Sequence, residues 1–216
     1  MENIIKKTVE NLRRNNMVPY VVEKGSDVLP LLKTLLPEGA SVGVGVSETL
    51  TKLGVISFLR EGNYKFFDRY AKGLTRPEAV EVMRQSLLAD VFLTSSNAVT
   101  EKGELYNVDG NGNRVAALCF GPKEVLVIVG ANKIVKDIKA AEERVKKIAA
   151  PKNCQRLALP SPCSKTGECV SLSLENRELC DGCATESRIC SSYVISGYQR
   201  NKDRIKVIIC KESMGY

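Results

Sequence analysis

The sequence predicts an α/β protein in which a mostly parallel sheet is flanked by helices. Apolar β-like runs alternate with segments of helical periodicity along most of the chain, and this alternation is typical of a sheet covered by helices on both faces. Several runs, such as EVLVIVG at 124–130, are apolar at nearly every position, as expected for parallel strands buried on both sides. A chain of 216 residues can form one such domain and a small appendage.

The predicted helices separate these runs. Ile5, Val9 and Leu12 are spaced i, i+4, i+7 and form one apolar face of a first helix. Pro77 suits the first turn of a helix over 77–89, because the N–H that proline lacks has no intrahelical partner there. Further helices are predicted after Asp27 up to residues 37–39, from Ser47 onward, and over 134–149, where Pro151 ends the last one.

The apolar runs themselves predict the strands. They lie at 18–22, 40–46, 64–67, 91–96, 114–120, 124–130 and 205–210. Cys119 and Cys210 fall within two of these runs and are predicted to be buried as small apolar residues. The organisation that follows is an α/β ligand-binding domain over 1–152 and a small cysteine-rich module over 153–216, which includes a returning C-terminal strand.

The cysteine-rich segment is the first candidate for chemistry. Five of the eight cysteines lie between residues 163 and 190, and the chain contains no histidine. Thiols at a CxxC spacing with further cysteines nearby are typical of zinc sites and iron–sulfur clusters, and the spacing leaves the choice between these cofactors open. A disulfide framework and redox-active thiols are the alternatives. The predicted metal ligands are Cys163, Cys169, Cys180, Cys183 and Cys190.

The net charge of +7 is concentrated toward the cysteine-rich end. Residues 1–130 carry 16 Lys and Arg against 15 Asp and Glu, a net charge of +1, and residues 131–216 carry 16 against 10, a net charge of +6. Such a basic end suits an acidic partner protein or a phosphorylated ligand. Nucleic acid is a less suitable partner, because the chain has no Trp and its other aromatic residues are not interleaved with the basic ones.

The sequence also predicts a soluble, cytoplasmic protein that does not enter a membrane. No apolar run approaches the ~20 residues that a membrane-spanning helix needs. The N-terminal stretch MENIIKKTVENLRRNN lacks the apolar core of a signal peptide.

A glycine turn offers the first candidate ligand site. In VGVGVSETL, at 42–50, a buried strand runs through Gly43 and Gly45 into a helix that Ser47 is placed to cap. Backbone N–H groups exposed in such a turn bind phosphate or carboxylate. The spacing matches neither the dinucleotide fingerprint nor the P-loop, and an empty strand-to-helix turn is the alternative.

The stretch from 94 to 114 follows the end of a predicted strand, where open α/β sheets bind ligands. A carboxylate there, Glu101 or Asp109, is a candidate general base if burial raises its pKa. The alternative is a hairpin, since EKGE and DGNG are good turn sequences. Lys133, at another strand end, is a candidate to pair with a ligand phosphate or with one of these carboxylates, and a solvated lysine is the alternative.

Taken together, these segments resemble the lactate-utilization (LUD) domain family. The matching stretches are VGVGVSETL, TSSNAVTEKGELYNVDGNGNRVAAL, FGPKEVLVIVGANKIV, CSKTGEC and ESRIC. The resemblance implies a fold shared with ribose-5-phosphate isomerases, glucosamine-6-phosphate deaminases and CoA transferases, in which the ligand lies over the strand C-termini. By analogy the anion-binding residues are Gly43, Gly45, Ser47 and Thr49, and the reacting or recognised group is surrounded by Asn97, Glu101, Asp109, Asn113, Arg114, Asn132 and Lys133.

The resemblance further implies a link to the oxidation of L-lactate to pyruvate beside iron–sulfur partner proteins. This chain carries its own cysteine module, but VSLSLENREL separates Cys169 from the Cys180 and Cys183 pair. Five thiols therefore compete for what the family pattern treats as four ligand positions.

Three functions are compatible with the sequence, and it leaves open whether the protein is an enzyme. The first is a LUD-domain protein of lactate or organic-acid metabolism that binds a small anionic metabolite and a metal or iron–sulfur cluster. The second is a stand-alone isomerase or transferase acting on a sugar phosphate or CoA ester, with Glu101 or Asp109 as catalytic base assisted by Lys133. The third is a regulatory or assembly protein whose cysteine module and basic end dock a redox partner or nucleic acid. A homo-oligomer is compatible with each of them.

Overall fold

The computed structural model describes residues 1–216, and its centre is a six-stranded parallel sheet. The strands are β1 (Val18–Val22), β2 (Ser41–Val44), β3 (Lys65–Phe66), β4 (Val91–Thr94), β7 (Glu124–Gly130) and β10 (Ile205–Cys210). They lie in the order β1-β10-β7-β4-β2-β3, and every neighbouring pair is parallel. The predicted α/β class with a mostly parallel sheet is confirmed.

A second sheet of four strands is formed by short segments that lie between the main strands in the sequence. Its strands are β5 (Ala98–Thr100), β6 (Leu105–Asp109), β8 (Ile134–Val135) and β9 (Ser192–Ser196). Strands β5 and β6 form an antiparallel hairpin, as the turn sequence EKGE predicts, while β8 pairs with β5 and β9 with β6. At the turn, Gly103 has φ +78°, a conformation that residues other than glycine rarely adopt.

Nine α-helices connect the strands. None of them is long and apolar enough to cross a lipid bilayer. They are α1 (Glu2–Arg14), α2 (Val28–Leu35), α3 (Glu48–Lys52), α4 (Val55–Glu61), α5 (Arg76–Gln85), α6 (Asn113–Cys119), α7 (Ile138–Arg144), α8 (Ala150–Arg156) and α9 (Pro162–Thr166).

Strand β7 explains why the sheet is covered on both faces. Val125, Val127 and Val129 point to one side, where they pack in a core shared with residues of α1 and α6. Leu126 and Ile128 point to the other side and join a core shared with α2, α3 and α4. Successive side chains of a strand alternate between faces, so a strand that is apolar throughout requires a helical layer on each side.

The predicted strand at 114–120 is wrong, because these residues form helix α6. The Asp109 carboxylate accepts hydrogen bonds from the backbone N–H of Arg114 and Val115, at 3.0 and 3.3 Å, and Gly112 enters the helix with φ +79°. This cap stabilises a helix whose apolar residues would also suit a strand. Cys119, expected in the core, is exposed near the end of α6, whereas Cys210 is buried as predicted.

Pro151 does not end the helix that begins after β8. Helix α7 continues through a π-helical turn at Val145–Ala149 into α8, and Pro151 occupies the first turn of α8. The change of hydrogen-bond pattern at the π turn leaves a position where the missing N–H of proline is tolerated. The predicted start of this helix at residue 134 is wrong, since residues 134–135 form β8 and α7 begins at Ile138.

The C-terminal part of the chain is interleaved with the rest. Strand β10 lies between β1 and β7 in the main sheet, and β9 completes the second sheet beside β6. The predicted boundary at residue 152 therefore divides each of the two sheets, because residues 153–216 contribute one strand to the main sheet and one to the second sheet.

Candidate functional site

A cavity of about 450 Å³ lies at the carboxyl ends of the central strands, between the main sheet and the segment around Ser187. The carboxyl edge of an open parallel sheet is where such folds bind ligands. Basic side chains outnumber acidic ones in the lining by six to three. The basic residues are Arg69, Arg76, Arg114, Lys133, Arg156 and Arg188, and the acidic residues are Glu48, Asp109 and Glu186.

Arg114 is held at the base of the cavity by neutral oxygens. Its guanidinium donates to the side-chain oxygens of Asn97 and Asn107, at 2.9 and 2.5 Å, and to the backbone oxygens of Ser95 and Val108, at 3.2 and 2.8 Å. Burial lowers the pKa of Arg114, and the nearby Asp109 carboxylate opposes this shift. The charge is therefore fixed in position by dipoles rather than by a carboxylate salt bridge.

Lys133 occupies a similar environment. Its Nζ donates to Thr49 Oγ1 at 3.0 Å and to Ser95 Oγ at 2.9 Å, and both acceptors are neutral hydroxyls. The predicted pairing with a carboxylate does not occur. Burial lowers the pKa of Lys133 to about 7, and the positive charges of Arg144 and Arg114 contribute to the shift.

Arg144 completes a group of three buried cations without a carboxylate partner. It donates to the backbone oxygens of Asn132 and Asn97, at 3.3 and 2.7 Å, and burial lowers its pKa to about 10. Arg114, Lys133 and Arg144 are 7%, 4% and 8% exposed. Buried charges are normally paired with a charge of opposite sign. These three side chains have no such partner in the protein, so an anion bound near them would be stabilised.

The glycine turn after β2 lies next to this site. A Cβ on Gly45 would lie 3.0 Å from the Arg114 side chain, so the absence of a side chain allows Arg114 to pass. Gly43 packs against Ser86 and Phe92 away from the cavity. Ser47 lines the cavity and, as expected, caps α3 by accepting from the N–H of Leu50 at 3.3 Å.

The predicted asparagines divide into two groups. Asn97 and Asn113 line the cavity, and Asn97 orients Arg114. Asn132 lies outside it and fixes the C-terminal tail instead, because its Oδ1 accepts from the N–H of Met214 at 3.0 Å. Thr49 likewise reaches the cavity only through Lys133.

The two candidate catalytic carboxylates are placed differently. Asp109 lines the cavity, but both of its oxygens accept backbone N–H groups, of Gly110 on one side and of Arg114 and Val115 on the other. Glu101 lies outside the cavity, where it forms a 2.8 Å salt bridge with Lys7 of α1.

We expect Asp109→Ala to lower the free energy of unfolding by about 1 kcal/mol, the typical contribution of a helix cap. Asp109→Asn should lose less, because its amide oxygen still accepts from the N–H groups at the start of α6. Urea unfolding of the two variants and the wild type measures the difference. Equal stability of all three would contradict the capping role.

The sequence prediction missed Arg69, Arg76 and Arg156, which line the cavity from separate parts of the chain. Arg69 is half-buried and stacks over Tyr70, with its guanidinium carbon 5.7 Å from the ring centre. Arg156 lies 4.0 Å from Glu48. No local pattern marks these residues as members of one site.

The cysteine segment forms a second, smaller cavity of about 20 Å³, roughly the space of one water molecule. Five thiols line it. Four of them were predicted as ligands, but Cys154 of α8 takes the place expected for Cys180, which is exposed outside the cavity. The five thiol residues are Cys154, Cys163, Cys169, Cys183 and Cys190.

The thiols influence one another across this cavity. Burial raises the pKa of Cys190 to about 12, and the neighbouring Cys154, Cys169 and Cys163 add to the shift. Burial also raises the pKa of Cys154 to about 11, with a further contribution from Cys163. Metal ligation requires deprotonated thiols, so a metal would have to displace these protons.

Two cations brace the thiol segment. Arg188 donates to the backbone oxygens of Cys180, Cys183 and Cys190, at 2.6, 3.4 and 2.8 Å. Lys146 is buried and forms a 3.2 Å salt bridge with Glu142 while it donates to the backbone oxygen of Asp181 at 2.9 Å. The positive charge of Arg188 would offset the charge of thiolates, whereas the charge of Lys146 is paired with Glu142.

The candidate cofactors of this cavity are a zinc ion and an iron–sulfur cluster. All-thiol ligation suits either group. The hydroxyl of Tyr106 is buried without a hydrogen-bond partner, and burial raises its pKa together with the charges of Glu142, Tyr193, Cys180 and Cys190. A buried donor near thiols suits a sulfur acceptor. The side chains fit such a group chemically, although no three acidic or cysteine side chains are arranged to hold a metal ion in this conformation.

Comparison with known proteins places the chain in a family. The LUD domain model matches residues 5–210. The crystal structure of a DUF162 family protein from Deinococcus radiodurans is similar, with a TM-score of 0.51, 14% identity and 97% of each chain covered. Ribose 5-phosphate isomerase A from Methanocaldococcus jannaschii aligns with a TM-score of 0.35 and 18% identity, over 74% of this chain and 68% of that chain. No curated protein matches the sequence. The chain belongs to the LUD domain family, a family associated with lactate utilization.

Proposed function

We propose that the protein binds a small organic-acid anion in the 450 Å³ cavity, as part of the lactate-associated metabolism of its family. The observation that carries this proposal is the group of three buried cations, Arg114, Lys133 and Arg144, whose hydrogen-bond acceptors are all neutral. A buried cation without a counter-ion destabilises the folded protein. A bound carboxylate would supply that counter-ion and recover part of this energy.

The roles of the cavity residues follow from their surroundings. The four N–H groups on the terminal nitrogens of Arg114 donate to four oxygens, so this guanidinium is held in place and contributes a fixed positive field to the cavity. Lys133 retains one position on Nζ beyond its two hydroxyl partners. Arg69 and Arg76 line the cavity nearer to solvent and are suited to bind the carboxylate as it enters.

The alternative, an isomerase or transferase driven by a carboxylate base, has less support. The Asp109 oxygens are occupied by the backbone of the α6 cap, and Glu101 is paired with Lys7 outside the cavity. The arrangement favours recognition of an anion over proton abstraction by either carboxylate.

We expect Arg69→Gln to weaken the binding of L-lactate and pyruvate about tenfold, because loss of one charge-assisted hydrogen bond costs about 1.5 kcal/mol. Titration calorimetry gives the dissociation constants, and thermal unfolding in the presence of each acid gives an independent comparison. Arg13→Gln is the matched control, since Arg13 is exposed on α1 away from the cavity. Wild-type protein that binds neither acid, nor any other small carboxylate or phosphate, contradicts the proposal.

A second proposed function is metal binding by the thiols that line the smaller cavity. Cys154, Cys163, Cys169, Cys183 and Cys190 are the candidate ligands. A zinc ion would stabilise the segment, and an iron–sulfur cluster would in addition supply one-electron redox chemistry. The iron, sulfide and zinc content of anaerobically purified protein tests this function.

A further inference from the structure

The nitrogen of Lys133 has an incomplete set of partners. Thr49 Oγ1 and Ser95 Oγ occupy two of its positions. In the ammonium form the third position is another proton, and in the neutral form it is a lone pair. No backbone oxygen or carboxylate occupies that position, and the side chain lines the large cavity.

The surroundings favour the neutral amine. Lys133 is only 4% exposed, and the positive charges of Arg144 and Arg114 act against a further charge. The pKa of Lys133 is lowered to about 7, so a large part of the amine carries a free lone pair at neutral pH. Desolvated lysines next to other cations are the amines that attack carbonyl groups in proteins.

The positive charges of Arg144 and Arg114 also determine which compounds can reach the Lys133 amine. They attract small anions into the cavity, and a lone pair on Nζ reacts with a carbonyl carbon. A compound that carries both an anionic group and a carbonyl group satisfies both features of the site.

We propose that Lys133 forms a covalent imine with a small anionic carbonyl compound in this cavity, and that a 2-oxo carboxylate is the preferred class. This proposal rests on the proposed anion site. Thr49 and Ser95 act as positioning residues, because their hydroxyls hold Nζ without forming a charge pair with it.

The reaction is balanced without an oxidant or reductant. The Nζ lone pair attacks the carbonyl carbon, the C=O π electrons move to oxygen, and a proton moves from nitrogen to that oxygen to give a carbinolamine. The hydroxyl group then leaves with a second proton from nitrogen as water. The products are one imine, with a C=N bond to Lys133, and one water molecule.

Reductive trapping tests the proposal on the wild-type protein. Incubation with pyruvate and cyanoborohydride at pH 7 should add one carboxyethyl group per chain, and peptide mass spectrometry should place that group on Lys133. An unperturbed lysine amine, whose pKa in model peptides is about 10.4, reacts much more slowly at this pH, so the labelling should be selective for Lys133. L-lactate has no carbonyl group but should compete for the anion site, so an excess of it should slow the labelling of Lys133 selectively.

The outcomes distinguish the imine from the anion site on which it rests. If pyruvate and L-lactate both stabilise the protein but Lys133 is never labelled, the imine is wrong and the anion site stands. If neither acid nor any phosphate binds and nothing is labelled, both proposals fail. A sugar phosphate such as ribose 5-phosphate serves as a second probe, and labelling of Lys133 by it alone supports the imine with a different anionic carbonyl ligand. Lys133→Arg should lose this one site of modification, but the mapping on wild-type protein decides the question even if that variant does not fold.

Discussion

Replacement of Lys133 with methionine is expected to abolish the binding of small organic acids and, at the same time, to stabilise the protein at neutral and acidic pH. Methionine fills a similar volume without a buried charge. Exchange of buried ion pairs for apolar groups of similar size is often neutral or stabilising by roughly 1–4 kcal/mol, and removal of Lys133 leaves no buried carboxylate unpaired, because its partners are two hydroxyls. The hydroxyls left behind keep other partners, since Thr49 also donates to the Met214 backbone and Ser95 to the Ser96 backbone.

The stabilisation should depend on pH in a defined direction. Below pH 7 Lys133 is protonated in both the folded and the unfolded protein, so the wild type bears the full cost of burying the charge. Between about 7, the folded pKa, and 10.5, the ordinary value, the folded amine is neutral while the unfolded one still binds a proton. The unfolding free energy of the wild type therefore rises with pH across this window. The advantage of Lys133→Met should be largest below pH 7 and shrink above it.

Urea unfolding from pH 6 to pH 9 measures this dependence, and titration calorimetry measures the loss of binding. Lys136→Met is the matched control, because Lys136 is an exposed lysine three residues away. It should change neither the pH dependence nor the binding of L-lactate and pyruvate. A Lys133→Met protein that still binds both acids as tightly as the wild type would remove Lys133 from the anion site.

The second large effect is expected at the thiols. Cys154→Ser should lower the metal content and the melting temperature of anaerobically purified protein, whereas Cys180→Ser should leave both close to the wild type. Cys154 is buried in the small cavity, while Cys180 is exposed and contributes only its backbone oxygen to Arg188. Metal ligation in small cysteine modules contributes on the order of 10 kcal/mol to folding, so the loss of one ligand should be readily measured.

Cys210→Ser and Cys119→Ser are the controls for this comparison. Cys210 is buried in the main sheet and Cys119 lies near the end of α6, so neither reaches the thiol cavity. Their metal content should match that of the wild type. The opposite pattern, with metal lost in Cys180→Ser and kept in Cys154→Ser, would favour the grouping read from the sequence. A wild-type protein that contains neither iron nor zinc after anaerobic purification would end the metal proposal.

The main sheet could be predicted from the sequence because its strands are apolar on both faces and the helices that cover it are amphipathic. The segment 114–120 could not be predicted, since its apolar residues suit either a strand or a helix and the choice depends on Asp109. That carboxylate is close in sequence but acts through a cap whose geometry the pattern does not reveal.

Part of the candidate site could also be predicted from the sequence. Asn97 and Lys133 follow the ends of predicted strands, and parallel strands bring such residues to one edge of the sheet. Arg114 reaches the same cavity from the first turn of α6, although the sequence placed it at the start of a strand. Arg69 and Arg156 come from a loop and from a distant helix, and only the tertiary structure places them beside the others. Cys154 was overlooked because it stands alone in a helical sequence, nine residues before the next cysteine.

The position of β10 has a consequence for how the protein acquires its structure during synthesis. Strand β1 has a single neighbour in the main sheet, and that neighbour is β10, whose Lys206 stands opposite Val18. Strand β1 therefore stays unpaired until residues 205–210 have left the ribosome. Strand pairs so distant in sequence form slowly. Until β1 and β10 pair, the exposed strand edge can pair with another chain and cause aggregation. The thiol segment lies between these two strands in the sequence, so a metal bound by the thiols would order the chain just before β9 and β10 while β1 is still unpaired.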